Sequence, residues 1–256
     1  MGGYSLCNYN IIGNNEQVHF LPVVRKIGFM TKEDGKGDHD ILKAYNMMLY
    51  FAGTMILWDP SNECIHDFWT RGIIKSLPVS SRNPKFIKAS ALLRNSLSDE
   101  NSSHEKMKDD YLALFTGKET SLAPPYESVY MNNDRLLYGK ETGEVREFYQ
   151  SYGWESKFKD TLPDDHLGIE LLFLTLMIEK YLEFDDEACR KEMRNEIKRF
   201  INTHLYNWVP RWNEDVQKNS ITMSYKGIGT LIHACLEDLY SLMEGPGKTS
   251  FLASGN

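Results

Sequence analysis

The sequence predicts an all-α protein, a single helical-bundle domain of roughly seven to nine helices with one long irregular central connection. Three observations favour this class. Apolar residues recur at three- and four-residue steps over most of the chain, as on the buried face of a helix. No segment shows the sustained polar–apolar alternation of a half-buried strand. The 256 residues include only 9 prolines and 18 glycines, few for a fold with many tight turns.

The N-terminal part differs from the rest of the chain. Residues 1–38 have no sustained period and end in the polar cluster KEDGKGDHD, so we predict an irregular N-terminal extension. A helical domain is predicted over 39–243, with a first helix from about Asp40 that ends before Pro60. Helical spacing also predicts a short helix around 64–74, a helix in FIKASALLRNSL and another in MKDDYLALFTG.

Residues 118–162 concentrate Pro, Gly and Tyr without a helical period, in APPYESVY and RLLYGKETGEV. We predict an irregular segment here, and connections of this length inside a domain are usually functional. The segment is also long enough to act as a hinge for domain swapping, so a monomer and a swapped dimer both stay open.

Helices resume after the central segment. Pro163 and the two aspartates that follow favour the start of a helix over LGIELLFLTLMIEKYLEF. A second apolar stripe runs from Cys189 to Trp208 and is predicted to stop at Pro210. A last helix carries apolar residues from Ile221 to Met243, and residues 244–256 are predicted to be a frayed tail.

Composition excludes several classes. A net charge of −7 argues against holding nucleic acid through its phosphates. The four cysteines form no C-x-x-C pair, which argues against a zinc ribbon and favours a reducing cytoplasm. No basic region precedes an apolar stretch at the N-terminus, and the strongest apolar run, Leu171 to Ile178, is too short to cross a bilayer. We expect a cytoplasmic protein with no stable membrane insertion.

Two short patterns suggest an enzyme, either a helical metal-binding protein or a nucleotide hydrolase. GPGKTS at 245–250 ends like a phosphate loop, but Leu242 stands where the first glycine is needed. Glu63 and His66 have the spacing of half a di-iron site, but no second such pair exists. No serine or cysteine lies in a nucleophile-elbow context. We therefore predict no catalytic residues, no metal and no cofactor, and keep the enzyme as the alternative.

Two histidine-containing positions are open to more than one interpretation. Asp164, Asp165 and His166 precede an apolar run, so they either cap a helix or form a polar recognition point. Spacing alone favours capping. His204 lies on the apolar stripe that ends at Trp208, where a hydrogen-bonded core histidine is more common than a ligand.

Five motifs occur in one order along the chain. They are Y-x-x-L-F-x-G from Tyr111, P-P-Y-x-S-V-Y from Pro124, L-Y-G at 137–139, P-x-D-H-L-G from Pro163, and F-x-x-x-H-L-x-x-W-x-P from Phe200. The series resembles the TorD/DmsD/NarJ family of cytoplasmic chaperones for molybdoenzymes, with the TorD/DmsD branch the closer match. The resemblance covers about 111–212.

The resemblance implies an all-helical chaperone that binds the twin-arginine signal peptide of a molybdopterin oxidoreductase catalytic subunit. It would hold the apo-enzyme in the cytoplasm until cofactor loading is complete. The family's signal-peptide-binding surface falls here on Tyr111, Leu114, Phe115, Pro125, Tyr126, Gly139, Asp165 and His166. We expect Leu114, Phe115, Pro125 and Tyr126 to line an apolar groove and Asp165 to face the arginines. His166 would orient that carboxylate or donate to the peptide backbone.

The sequence departs from the family pattern in two ways. Residues 1–38 are longer than relatives usually carry, and Tyr stands at 111 and 126 where relatives often have Trp. A helical adaptor that keeps the fold but has lost client binding is a further alternative. The client enzyme, the oligomeric state and any binding of guanine nucleotide are left open by the sequence.

Overall fold

The computed structural model describes residues 37–60, 77–98, 103–117, 121–132 and 134–244. Within these ranges it contains nine α-helices and no strand, which confirms the all-α prediction. The helices are α1 (Asp38–Leu57), α2 (Pro84–Ser96), α3 (His104–Phe115), α4 (Glu127–Met131), α5 (Lys140–Ser151), α6 (Leu167–Glu183), α7 (Glu187–Phe200), α8 (Val209–Asn219) and α9 (Met223–Leu242). A π-helical turn, Ile201–Leu205, follows α7 directly.

The core is built around α1, α6 and α9. Helix α1 packs against both α6 and α9, while α2 covers another face of α9. Helix α6 buries residues on nearly all sides, because its sequence LGIELLFLTLMI is apolar with little interruption. The segments that contain Tyr126 and His166 meet at the N-terminal end of this central helix.

Small residues allow the closest helix contact. Where α1 crosses α6, a Cβ on Gly168 would lie 2.9 Å from Cβ of Leu57 and 3.0 Å from the carbonyl oxygen of Gly53. A Cβ on Gly53 would lie 3.1 Å from Cβ of Leu171. Two facing glycines therefore set the distance between these helices.

Local capping explains where several helices begin. Asn83, Ser103, Asp186 and Thr222 each accept a hydrogen bond from the backbone N–H two or three residues later. Each bond satisfies a donor that the first helical turn leaves without a partner.

The prediction of an irregular segment over 118–162 is wrong for much of its length. It contains the short helix α4 and the 12-residue helix α5. Helix α5 buries only Thr142, Val145, Phe148 and Tyr149, and its other positions are mainly polar. So short an apolar stripe, with Gly143 inside it, does not show a clear helical period. The turns after α5, residues 152–166, do lack regular structure.

The predicted stop at Pro210 is also wrong. Pro210 lies in the first turn of α8, where the missing N–H of proline would have no helical partner anyway. Trp212 and Val216 bury the inner face of this helix, one turn apart. Pro210 therefore marks the start of a helix.

Three sequence predictions concern residues outside the described ranges. These are the short helix around 64–74, most of the extension over 1–38 and all but one residue of the tail over 244–256. In the part of the chain that the structure describes, no helix combines the length and the apolar character needed to cross a bilayer.

Candidate functional site

The site is centred on the point where the Pro-Pro-Tyr segment meets the start of α6. Tyr126 and His166 form an isolated antiparallel bridge. The N–H of Glu127 donates to the carbonyl oxygen of Asp165 at 3.0 Å, and the N–H of Leu167 donates to that of Pro125 at 2.8 Å. The rings of Tyr126 and His166 meet edge to face with their centroids 5.1 Å apart. Two motifs that are distant in sequence are thereby paired.

Asp165 ties three elements together from a fully buried position. Its Oδ2 accepts from the N–H of Ser128 on α4 at 2.9 Å, and its Oδ1 accepts from the hydroxyl of Thr142 on α5 at 2.8 Å. Both oxygens are therefore used inside the protein. In this conformation Asp165 does not face solvent, in contrast to the expected contact with arginines.

His166 caps α6. Its Nδ1 accepts from the N–H of Gly168 at 3.0 Å, and the ring is buried. Burial lowers the pKa of His166 to about 3, so the ring is neutral near pH 7. Capping was the favoured sequence interpretation, but the capping side chain is the histidine and neither aspartate.

Asp164 forms the buried half of a partly exposed ion pair. The Nε of Arg146 on α5 donates to Oδ2 of Asp164 at 2.5 Å. The hydroxyl of Tyr149 donates to the carbonyl oxygen of the same residue at 3.1 Å. The turn 164–166 is thus held against α5 by both side-chain and backbone contacts.

A set of buried polar side chains, which we call the buried acidic group, lies beside this turn. Glu127 on α4, Glu170 on α6 and His204 on the π turn are all less than one-twentieth exposed. The Nδ1 of His204 lies 3.0 Å from Oε2 of Glu127. Burial together with the nearby Asp165 charge raises the pKa of Glu127 to about 9, and burial lowers the pKa of His204 to about 4. Both groups are therefore uncharged at neutral pH, and the contact is a hydrogen bond without ionic character. The buried, hydrogen-bonded histidine agrees with the sequence interpretation.

Glu170 is the most unusual member of this group. It is fully buried, and within the described residues neither carboxyl oxygen accepts a hydrogen bond from a donor. Burial and the adjacent carboxyl of Glu127 raise its pKa well above the ordinary value. The nearby indole N–H of Trp208 donates elsewhere, to the carbonyl oxygen of His204 at 2.5 Å.

The other predicted site residues lie deeper than expected. Tyr111, Leu114 and Phe115 are buried, and the ring of Phe115 stacks on Trp212 with centroids 6.1 Å apart. Pro125 is also buried. None of these four side chains lines an open groove in this structure. They pack in the core beneath the site. The N–H of Ala123 donates to the carbonyl oxygen of Leu114 at 2.9 Å, which joins the end of α3 to the Pro-Pro-Tyr segment.

Exposed apolar side chains lie on the solvent side of the site. We define the apolar rim as Tyr126, Met131, Leu136 and Tyr138. Leu136 is 62% and Tyr138 60% exposed, Met131 is 38% exposed, and Tyr126 is half-buried. Gly139 holds this stretch close to α4, since a Cβ there would lie 3.1 Å from Cβ of Ser128. Of the predicted residues, Pro125, Tyr126, Gly139, Asp165 and His166 therefore come together.

Sequence reasoning missed Glu127, Thr142, Glu170 and the exposed side chains at 131, 136 and 138. One signal was present for Glu170, which directly precedes the strongest apolar run of the chain, Leu171 to Ile178. A carboxyl at such a position is rarely buried without a partner. Thr142 gave no comparable signal, because its contact depends on how α5 packs.

The two sequence patterns that suggested an enzyme fall outside the described residues, namely Glu63 with His66 and GPGKTS at 245–250. Among the residues that are described, no group of three or more His, Cys, Asp or Glu side chains is arranged to hold a metal ion.

Comparison with known proteins gives a consistent result. The family described as nitrate reductase delta subunit matches residues 83–214, just over half of the chain. Chaperone protein TorD of Psychrobacter sp. (strain PRwf-1) is 31% identical over 135 residues, which are 52% of this chain and 60% of that protein. Chaperone protein TorD of Vibrio parahaemolyticus is 29% identical over 152 residues, 59% of this chain and 71% of that protein.

A third relative, chaperone protein TorD of Aliivibrio salmonicida, is 29% identical over 120 residues, 47% of this chain and 56% of that protein. The chain thus spans little more than half the length of some of the curated relatives it matches. The matched region contains the paired motifs, the buried acidic group and the apolar rim. The chain belongs to the TorD/DmsD/NarJ family that its motif series resembles, and its curated relatives are named chaperones.

Proposed function

We propose that this protein is a cytoplasmic chaperone that binds the twin-arginine signal peptide of a molybdopterin oxidoreductase catalytic subunit. It would retain the apo-enzyme and assist cofactor loading before export. The observation that carries the proposal is the apolar rim beside the paired family motifs. Three apolar side chains that are each more than one-third exposed lie within eight residues of chain next to that pairing.

A signal peptide suits this surface chemically. It presents a basic region followed by an apolar stretch. The apolar stretch can cover Leu136, Tyr138 and Met131. Glu141 lies in the first turn of α5, directly after the rim, and supplies negative charge for the basic region, while Glu144 one turn later is paired with Lys140.

The two kinds of contact contribute differently. Covering about 300 Å² of apolar surface is worth roughly 7 kcal/mol before the peptide's ordering entropy is subtracted. An exposed ion pair contributes only about 0–1 kcal/mol. We therefore expect the apolar rim to supply affinity and the carboxylates to select peptides that carry arginines.

Calorimetry with a synthetic peptide tests the proposal. The peptide carries two adjacent arginines followed by an apolar run, and a matched peptide has both arginines replaced by alanine. Leu136→Ser and Tyr138→Ser should each weaken binding roughly tenfold, because each removes an apolar contact. Ile87→Ser changes a comparably exposed side chain on α2 and serves as the control, with unchanged binding expected.

Two results would count against the proposal. If the wild-type chain binds neither peptide, the adaptor without client binding becomes the better interpretation. If the rim variants bind as tightly as Ile87→Ser, the peptide lies elsewhere. Retention of an apo-enzyme with an intact leader, but not of one without it, would support the chaperone role in a pull-down.

A further inference from the structure

The buried acidic group has more carboxyls than its surroundings can neutralise. Glu127 and Glu170 face each other from α4 and α6 in a space closed to solvent. Among the described residues, no lysine or arginine forms an ion pair with either carboxyl. Two arginines on the neighbouring helices α5 and α7 form ion pairs with other carboxylates: Arg146 with Asp164, and Arg199 with Glu196.

The groups around the pair come from every neighbouring element. Glu127 is influenced by the charges of Asp165 before α6 and of Glu141 and Glu144 on α5, and it contacts His204 on the π turn. Glu170 faces Glu127, Asp165, Tyr149 and Trp208. The charge of Arg199 on α7 contributes to lowering the pKa of His204. The charged side chains that influence Glu127 and Glu170 themselves are acidic.

Two facing carboxyls in a dry site need a proton between them, because their oxygens otherwise repel each other. The absence of any donor to Glu170 within the described chain agrees with such a shared proton. A guanidinium could replace the proton. Its planar fork supplies several donors at once, and it is the cation best suited to paired carboxylates in a buried site.

Access to the pair depends on one small element. Glu170 lies on the central helix α6, whereas Glu127 is supplied by α4, which has only five residues, of which Val129 and Tyr130 pack in the core. Polar contacts hold α4 in place: those of Asp165 with the backbone of Glu127 and Ser128, and a 3.0 Å hydrogen bond from Tyr130 to Asp215. The loop after it contains Arg135 and Tyr138 with φ of 51° and 62°, a region that non-glycine residues seldom adopt.

We propose that the Glu127–Glu170 pair is the binding site for one guanidinium of the client's arginine pair, reached when α4 tilts away from α6. The proton shared by the two carboxyls then passes to the solvent, and the arginine side chain takes its place between them. The apolar rim covers the adjoining apolar stretch of the same peptide. This inference rests on the proposed function and adds to it a site and a linked proton.

Calorimetry in two buffers with different ionisation enthalpies measures the linked proton. The full chain is titrated near neutral pH with the peptide that carries two arginines, and separately with its alanine-substituted form. For the wild type we expect close to one proton released per arginine peptide bound, and none with the alanine peptide. Binding of the arginine peptide should also tighten as the pH is raised.

Amide variants of the two glutamates test whether the released proton comes from this pair. Glu170→Gln and Glu127→Gln should abolish proton release and weaken binding at least tenfold, while circular dichroism shows that the fold is kept. Glu147→Gln alters an exposed carboxyl on α5 and should leave both quantities unchanged. The wild-type buffer dependence needs no variant, so the test does not depend on how well the variants fold.

The outcomes separate this site from the general function. Tight peptide binding with no buffer dependence, or equal proton release with the alanine peptide, would overturn the site while leaving signal-peptide binding intact. The same holds if folded Glu170→Gln binds and releases protons like the wild type. Failure of the wild type to bind the arginine peptide would overturn the proposed function and this site together.

Discussion

The hydroxyl of Thr142 donates to Oδ1 of Asp165 at 2.8 Å, and this buried contact ties α5 to the turn that begins α6. The second oxygen of the same carboxylate holds the backbone of Ser128 on α4. One side chain therefore positions both helices that contribute to the candidate site. Its role in this conformation is to organise the site.

Asp165→Asn should lower the free energy of unfolding by about 1–3 kcal/mol, because an amide offers one acceptor where two are used and buries an unmatched NH₂ group. Thr142→Val, which removes only one of the two donors, should cost less. Denaturation in urea measures both. Asp160→Asn makes the same chemical change at an exposed position nearby and should be neutral. Equal stability of Asp165→Asn and Asp160→Asn would contradict this role.

The sequence predicted the helices better than the site. Long apolar stripes identify α1, α6 and α9, because each buries a wide face along its whole length. Helix α5 gives no clear helical period in the sequence, because only four of its 12 residues are buried. The same holds for the site: the position of Asp165 and His166 before an apolar run, and the family motif, single out both residues, but the contacts of Asp165 with Thr142 and Ser128 depend on tertiary packing.

The free energy of unfolding should have a maximum at weakly acidic pH. It should decrease towards alkaline pH because of Glu127 and towards acidic pH because of two histidines. The folded protein holds a proton on Glu127 up to a pKa of about 9, whereas an unfolded glutamate releases it near 4.5. The free energy of unfolding therefore falls as the pH rises through this interval. His166 and His204, with pKa values of about 3 and about 4, contribute stability that is lost as the pH falls below about 6.5.

Variants can assign the loss of stability at alkaline pH to the Glu127–Glu170 pair. A proton retained by the folded state alone changes stability by about 1.4 kcal/mol per pH unit, so the wild-type melting temperature should drop by roughly 5–10 °C between about pH 6.5 and about pH 8.5. Glu127→Gln and Glu170→Gln should flatten this decline, since an amide does not titrate. Glu147→Gln should keep it. A wild-type melting temperature that is constant over this range would show that the pair holds no such proton.

Asp110 is a second buried organising carboxylate, outside the candidate site. It accepts four hydrogen bonds from the segment that precedes α9, from the hydroxyls of Ser220 and Thr222 at 2.7 Å each and from the N–H groups of Ile221 and Thr222 at 3.1 and 3.0 Å. Asp110→Ala should cost about 3–4 kcal/mol, because several buried donors lose their acceptor.

Hydrogen exchange provides a local measurement of the same change. The amide protons of Ile221 and Thr222 should exchange faster in Asp110→Ala, ahead of those in the centre of α9. Asp109→Ala, at the adjacent exposed position on α3, should alter neither exchange nor stability beyond about 0.5 kcal/mol. Matching behaviour of the two alanine variants would mean that the four contacts contribute little.

Glycine-to-alanine changes at two helical positions should shift stability in opposite directions. At Gly168 the added Cβ would lie 2.9 Å from Cβ of Leu57 and 3.0 Å from a backbone oxygen of α1, so the helices must separate, at a cost of about 1–3 kcal/mol. At Gly143 on α5 nothing lies within 4 Å of the added Cβ, and the gain in helix propensity should stabilise the protein by about 0.5–1 kcal/mol. Urea denaturation of both variants compares the two effects. A stabilised Gly168→Ala variant would show that the distance between α1 and α6 can increase without cost. The close contact of these two helices would then not be what holds the His166 cap in position.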